Sequence, residues 1–136
     1  MQFGPAIPIL RIFDEAKAAE FYVGFLGFTK EWEHRFGDNF PLYMQVSKGG
    51  CVLHLSGHHG DCCPGAAVRI ETPGVRDFCQ ELTAKDYRHA KPECEPTEYN
   101  TLEMRVSDPF GNKLIFYEKL ESCGEDGSGN TNVDDE

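Results

Sequence analysis

The sequence predicts an α+β fold made of two strand–helix–three-strand modules, spanning about residues 5–56 and 65–118. Two observations predict it. Apolar residues recur at i, i+3, i+4, i+7 twice, as Ala18, Phe21, Tyr22 and Phe25 and again as Val75, Phe78, Cys79 and Leu82, which marks two helices with one buried face each. Each helix is preceded by one strand-like run and followed by three, so the order of elements repeats along the chain.

The elements follow in order. AIPILRIF, residues 6–13, is an apolar strand, and Asp14 is a helix N-cap ahead of the first periodic stretch. Gly27 ends that helix. Residues 28–36, 42–47 and 51–56 are strand-like, and Lys48-Gly49-Gly50 joins the last two as a hairpin. The loop GHHGDCCPG then breaks the pattern. The second round begins with a strand at 66–71 and a helix after Pro73 and Gly74. Strands are expected at 87–91, 101–107 and 113–118, with the turn Asp108-Pro109-Phe110-Gly111-Asn112 between the last two. Residues 1–120 read as a single domain. The Gly-rich acidic segment 121–136 reads as disordered.

Thirteen Lys and Arg against 23 Asp and Glu give a formal charge of −10 over 136 residues. A nucleic-acid binder carries a basic footprint, so that class is excluded. No apolar run approaches the roughly 20 residues of a membrane helix. The N-terminus has no basic region before its apolar stretch, so a cytoplasmic protein with reduced thiols is expected for the six cysteines.

Strand alternation sorts the side chains by face. Leu42, Met44, Val46, Leu53, Leu55, Val68, Ile70, Leu102, Met104, Val106, Leu114 and Phe116 fall on the core side. The opposite side carries Tyr43, Gln45, His54, Ser56, Arg69, Glu103, Arg105, Ile115 and Tyr117. Such a face is either a solvated sheet surface or the lining of a ligand cup. Trp32, His34 and Phe36 alternate on one strand, where Trp32 either stacks on a planar ligand or belongs to the core. Arg69 and Arg105 suit a carboxylate or phosphate. Glu103 is the candidate catalytic residue, as a general base if burial raises its pKa; the alternative is a simple pair with Arg105. His54, His58, His59, Asp61, Cys62 and Cys63 crowd into ten residues without a standard metal-site spacing.

Two stretches carry a family resemblance. AIPILRIFDEAKAAEFYVGFLGF, with its terminal L-G-F, and RVSDPFGNKLIFYE, with its D-P-x-G-N hairpin, resemble the vicinal oxygen chelate superfamily of glyoxalases, bleomycin resistance proteins and dioxygenases over residues 5–118. The resemblance implies a U-shaped, cupped mixed sheet with helices on its outer face. Its metal-ligand positions correspond here to Ile7, His54, Gly65 and Ile115, of which only His54 can ligate, whereas a catalytic divalent site needs about three protein ligands. The pattern is similar to the bleomycin-resistance branch. It implies a homodimer that exchanges an N-terminal strand bearing Pro8, with a metal-free cup that binds and sequesters a small organic ligand, and no cofactor. The expected ligand-binding residues are Trp32, His34, Tyr43, Gln45, His54, Arg69, Glu103, Arg105, Ile115 and Tyr117. The alternative is a metal-dependent lyase, isomerase or transferase using His54, His58, His59 and Glu103 around a divalent metal.

Overall fold

In the computed structural model, which describes residues 1–120, the repeated element order is present. The expected disorder of 121–136 lies outside the described residues. The first module holds β1 (Ile9–Arg11), α1 (Glu15–Ala18) running directly into a π-helical stretch (Ala19–Phe25), β2 (Thr29–His34), β3 (Tyr43–Lys48) and β4 (Cys51–Ser56). The second holds β5 (Ala67–Glu71), α2 (Val75–Ala84), β6 (Cys94–Pro96), β7 (Thr101–Ser107) and β8 (Lys113–Lys119). Each module forms a four-stranded mixed sheet, in the orders β1-β4-β3-β2 and β5-β8-β7-β6. β1 and β5 pair in parallel with β4 and β8, and every other pairing is antiparallel. No helix among the described residues is long and apolar enough to cross a membrane.

Local chemistry accounts for the boundaries. The Asp14 side chain accepts from Lys17 N at 2.9 Å and caps the first helix. Gly27, at φ 85°, ends it in a left-handed conformation that a side chain would strain. Most of that helix is π-wound, which the apolar period does not anticipate. Both windings keep residues four apart on one side, so Ala18, Phe21, Tyr22 and Phe25 are buried together. The strand expected at 87–91 is instead a turn, and β6 lies further on at Cys94–Pro96. Tyr87 stacks on Phe25 at 4.8 Å and donates to Glu20 at 2.7 Å, tying the exit of α2 to the first helix. Pro92 then lacks the N–H a ladder needs.

The buried side chains of both modules form one cluster, and the core-side alternation holds from Leu42 to Phe116. The modules are joined through the β7–β8 turn. Asp108 and Asn112 are buried. Asp108 accepts from Tyr22 Oη at 2.7 Å, from the backbone N–H groups of Phe110 and Asn112 at 2.8 Å, and from Asn112 Nδ2 at 2.8 Å. Asn112 Nδ2 also donates to Arg11 O at 2.9 Å, and its Oδ1 accepts from Ala66 N at 3.1 Å. One side chain therefore bridges β1 and the residue that leads into β5. Burial, followed by the charge of Asp108 and their hydrogen bond, pushes the Tyr22 hydroxyl pKa far up, so it stays a donor.

Removing the carboxylate leaves several buried donors without an acceptor. Asp108→Ala is expected to cost about 3 kcal/mol or more, and Tyr22→Phe only about 1–2 kcal/mol, in urea unfolding. Equal costs would contradict the account of Asp108 as the shared acceptor.

Candidate functional site

β2, β3 and β4 carry an aromatic and hydrogen-bonded cluster on the side away from the core. Two consecutive residues reach it from β2, because the ladder shifts register between Lys30 and Trp32. Trp32 opposes Gln45, and Glu31 is the extra residue of this bulge. Trp32 lies on this face, not in the core, and is 42% exposed. Its ring is nearly parallel to Tyr43 at 6.1 Å and edge-on to His54 at 5.3 Å. Tyr43 Oη lies 2.6 Å from His54 Nδ1, and His54 Nε2 lies 2.9 Å from Gln45 Oε1. Gln45 Nε2 donates to Glu31 Oε1 at 2.6 Å, and Ser47 Oγ to Glu31 Oε2 at 2.6 Å. These two bonds, Ser47 first, hold the Glu31 carboxyl below its ordinary pKa.

The GHHGDCCPG loop folds back along this cluster. Ser56 is buried, donates to Asp61 Oδ2 at 2.6 Å and accepts from His58 N at 3.0 Å. Burial, then the charges of Asp61 and Cys62, push the Tyr43 hydroxyl pKa up. Burial and Asp61 likewise push the Cys62 thiol up, which disfavours the reactive thiolate. His34 and His58 both meet Phe36 edge-on, at 4.6 and 5.5 Å, beside the cluster.

The second module presents a different chemistry. The Glu103 side chain is 3% exposed and takes four donors. Oε2 receives Arg69 Nη1 at 3.0 Å, Tyr99 Oη at 3.1 Å and Thr101 Oγ1 at 3.1 Å, and Oε1 receives Arg105 Nη2 at 3.3 Å. The Arg69 guanidinium lies 4.4 Å over the Tyr117 ring, and Tyr117 opposes Glu103 in register. Ile115 sits between Arg69 and Arg105, paired in register with both. Arg105 is 65% exposed and lines a cavity of about 310 Å³ with Lys91, Glu93, Glu95, Thr97 and Glu103. Burial alone would raise the Glu103 pKa, but hydrogen bonds from Arg69, Tyr99, Arg105 and Thr101 outweigh it and hold the carboxyl below its ordinary range. A general base at Glu103 needs a raised pKa, and this environment lowers it.

The ten expected binding residues thus form two clusters. Trp32, His34, Tyr43, Gln45 and His54 lie on the first module, and Arg69, Glu103, Arg105, Ile115 and Tyr117 on the second. No hydrogen bond, ion pair or ring contact among the described residues joins the two clusters. Glu31, Asp61 and Tyr99 are partners the alternation pattern does not reveal, whereas Thr101 stands two residues before Glu103 on β7 and shares its face. Glu31 reaches the site only through a bulge, and Asp61 and Tyr99 only through loop and turn geometry.

The donor set does not fit a divalent metal. Ile7 and Ile115 offer no ligand atoms, Gly65 has no side chain, and both ring nitrogens of His54 are engaged. His58 meets Phe36 edge-on, and His54, His58, His59 and Glu103 do not gather into a metal-holding group among the described residues. No group of three or more His, Cys, Asp or Glu side chains suited to a metal occurs among the described residues.

A family model described as "Glyoxalase superfamily protein" matches residues 1–123. No curated protein matches the sequence. Among solved structures, the chain is similar to an antibiotic binding protein, TnmS3, from Streptomyces sp. CB03234, with 21% identity, TM-score 0.67 and coverage of 88% of this chain and 98% of that one. It is also similar to a putative glyoxalase family protein from Bacillus anthracis, at 19% identity and TM-score 0.63 over 88% and 98% of the two chains. A bleomycin-binding protein complexed with bleomycin matches at 20% identity and TM-score 0.63, over 86% and 99%. At these identities the likeness is one of fold.

The Glu103 environment sets a pH dependence. A carboxyl whose pKa is depressed on folding stabilises fully above its unfolded value, and that stability is lost as pH falls through the folded value. Glu103→Gln should lower stability by about 1 kcal/mol at pH 7, since both Arg partners are well solvated. In urea unfolding the gap from wild type should close as pH drops below about 4. A gap independent of pH would contradict the assignment.

Proposed function

This chain belongs to the glyoxalase superfamily, and from that premise we propose that it binds a small organic ligand in a cup that uses no metal, a role suited to drug sequestration. The observation that carries this reading is the uncovered cluster of Trp32, Tyr43 and His54. It offers aromatic faces and a fixed set of polar groups, the combination by which small-molecule sites hold and orient a ligand. The state of His54 supports independence from metal, because a metal at Nδ1 would have to displace the Tyr43 hydroxyl. The Arg69 and Arg105 cluster on the second module supplies the other wall of the cup.

The working unit in this reading is a homodimer with its grooves near the subunit boundary. Support comes from the N-terminal segment. Met1, Phe3, Ile7 and Ile9 are exposed apolar side chains on or just before β1. The same segment borders a cleft of about 310 Å³ lined by Pro5–Pro8, Cys51–Leu53 and Val68–Ile70. Pro8 O accepts from His54 N at 3.0 Å, so the stretch that would be exchanged also backs the central histidine of the site. An exposed apolar strip of this kind marks an association surface.

Trp32 is the sole tryptophan, so its emission reports on the site directly. Titration with bleomycin and with planar aromatic antibiotics is expected to give saturable quenching for at least one compound, unchanged by excess EDTA. Binding that vanishes with EDTA and returns with zinc would favour the metal-dependent lyase, isomerase or transferase. Trp32→Ala should weaken the ligand so found by roughly tenfold, read by calorimetry.

Light scattering is expected to give twice the 15.3 kDa chain mass, and Ile7→Asp to shift the protein toward the monomer. A monomeric wild-type protein at micromolar concentration would contradict the dimer.

A further inference from the structure

With His54 as a neutral ring, hydrogen-bond direction on the β2–β4 face follows from one end. The Glu31 carboxylate has no proton to give, so Gln45 must turn Nε2 toward it, at 2.6 Å. Gln45 Oε1 then faces His54 Nε2 at 2.9 Å, which places the ring proton on that nitrogen. With one ring proton, Nδ1 keeps its lone pair, and the Tyr43 hydroxyl donates to it at 2.6 Å. The chain ends on a Tyr43 oxygen with only lone pairs left to offer. Glu31 takes one bond on each oxygen and retains acceptor capacity on both. Asp61, near enough for its charge to act on Tyr43, takes its bond from Ser56. Neither Glu31 nor Asp61 is paired with a Lys or Arg among the described residues. Acceptors and negative charge therefore border the Trp32 and Tyr43 rings, with the indole N–H of Trp32 as a donor beside them.

We infer that this face selects planar cations that carry N–H donors, protonated aminoarenes, and that His54 is the positioning residue that sets this selectivity by holding the Tyr43 hydroxyl as an acceptor. The inference rests on the ligand-binding function proposed above. It gives His54 a role that requires no metal. Such a ring gains cation–π attraction from Trp32 and Tyr43, and its N–H groups meet Tyr43 Oη and Glu31. On this face an anionic ring of the same size gains one donor, the Trp32 indole N–H, and otherwise meets like charge and unmatched lone pairs. Because Ser47 and Gln45 hold the Glu31 pKa low, its charge persists into mildly acidic solution.

Calorimetric titration of the full chain with three matched probes tests this. They are 9-aminoacridine, a planar cation with N–H donors; 10-methylacridinium, a planar cation without them; and anthracene-9-carboxylate, a planar anion. The expected order of affinity is that order, with each step roughly tenfold, the size of one charge-assisted hydrogen bond. Glu31→Gln should weaken 9-aminoacridine about tenfold. His54→Phe keeps a ring against Trp32 but releases the Tyr43 hydroxyl, so the ratio between the two cations should fall, with the Glu31 contribution left in place. His54→Gln offers an amide oxygen for the Tyr43 proton and should restore that ratio. Melting curves confirm that each variant is folded. Equal binding of cation and anion, or a cation ratio unchanged in His54→Phe, overturns the selectivity while leaving ligand binding intact. No binding of any probe, together with no quenching of Trp32 by any antibiotic, overturns both.

Discussion

The Asp108 carboxylate is buried, and its oxygens are met by Tyr22 of the first helix, by two N–H groups of its own turn and by the Asn112 amide. A buried carboxylate is tolerated only where its lone pairs are met, so this geometry cannot drift without a large cost. Asn112 extends the constraint to both modules by bonding β1 at Arg11 O and the lead-in of β5 at Ala66 N. With the two edges tied, the shared apolar core is closed from both sides. The uncovered faces of the two sheets are then held at fixed positions in the chain.

What those faces carry follows from strand alternation and from the supply of partners. On the first module the acceptors exceed the donors, and a histidine passes hydrogen-bond direction from Glu31 to Tyr43. On the second module one carboxylate receives four donors, three of them on one oxygen, and Arg105 stands largely exposed beside it. The same repeated architecture therefore presents two unlike surfaces. The difference comes from single residues at equivalent depths of the sheets, such as His54 in β4 and Ile115 in β8, and not from any change in backbone plan.

Much of this was legible in the chain. The two helical periods, the hairpin glycines and the D-P-F-G-N turn give the module order, and alternation gives the core and the opposite face residue by residue. Three features were not legible. The π-winding of the first helix leaves the apolar period unchanged, so nothing in the pattern distinguishes it. The segment 87–91 has strand-like composition, but Tyr87 is drawn onto Phe25 and Glu20, a tertiary contact that outweighs local preference. The bulge at Glu31 places two neighbouring side chains on one face, which strict alternation forbids, and so the residue that orients the whole hydrogen-bond chain escapes the pattern. At the site, residue types were readable while partners were not. Glu103 and Arg105 read as a pair, yet the closer cation is Arg69, brought in from a strand far away in sequence.

In the proposed reading His54 is committed to Tyr43 and Gln45 and serves an organic ligand in place of a metal. Its ring nitrogens can be read directly by long-range proton–nitrogen correlation spectroscopy on labelled protein, before and after addition of one equivalent of zinc. The account predicts a proton on Nε2, an acceptor Nδ1, and no change with zinc. A zinc-induced shift of either His54 nitrogen, with the Tyr43 hydroxyl released, would contradict it.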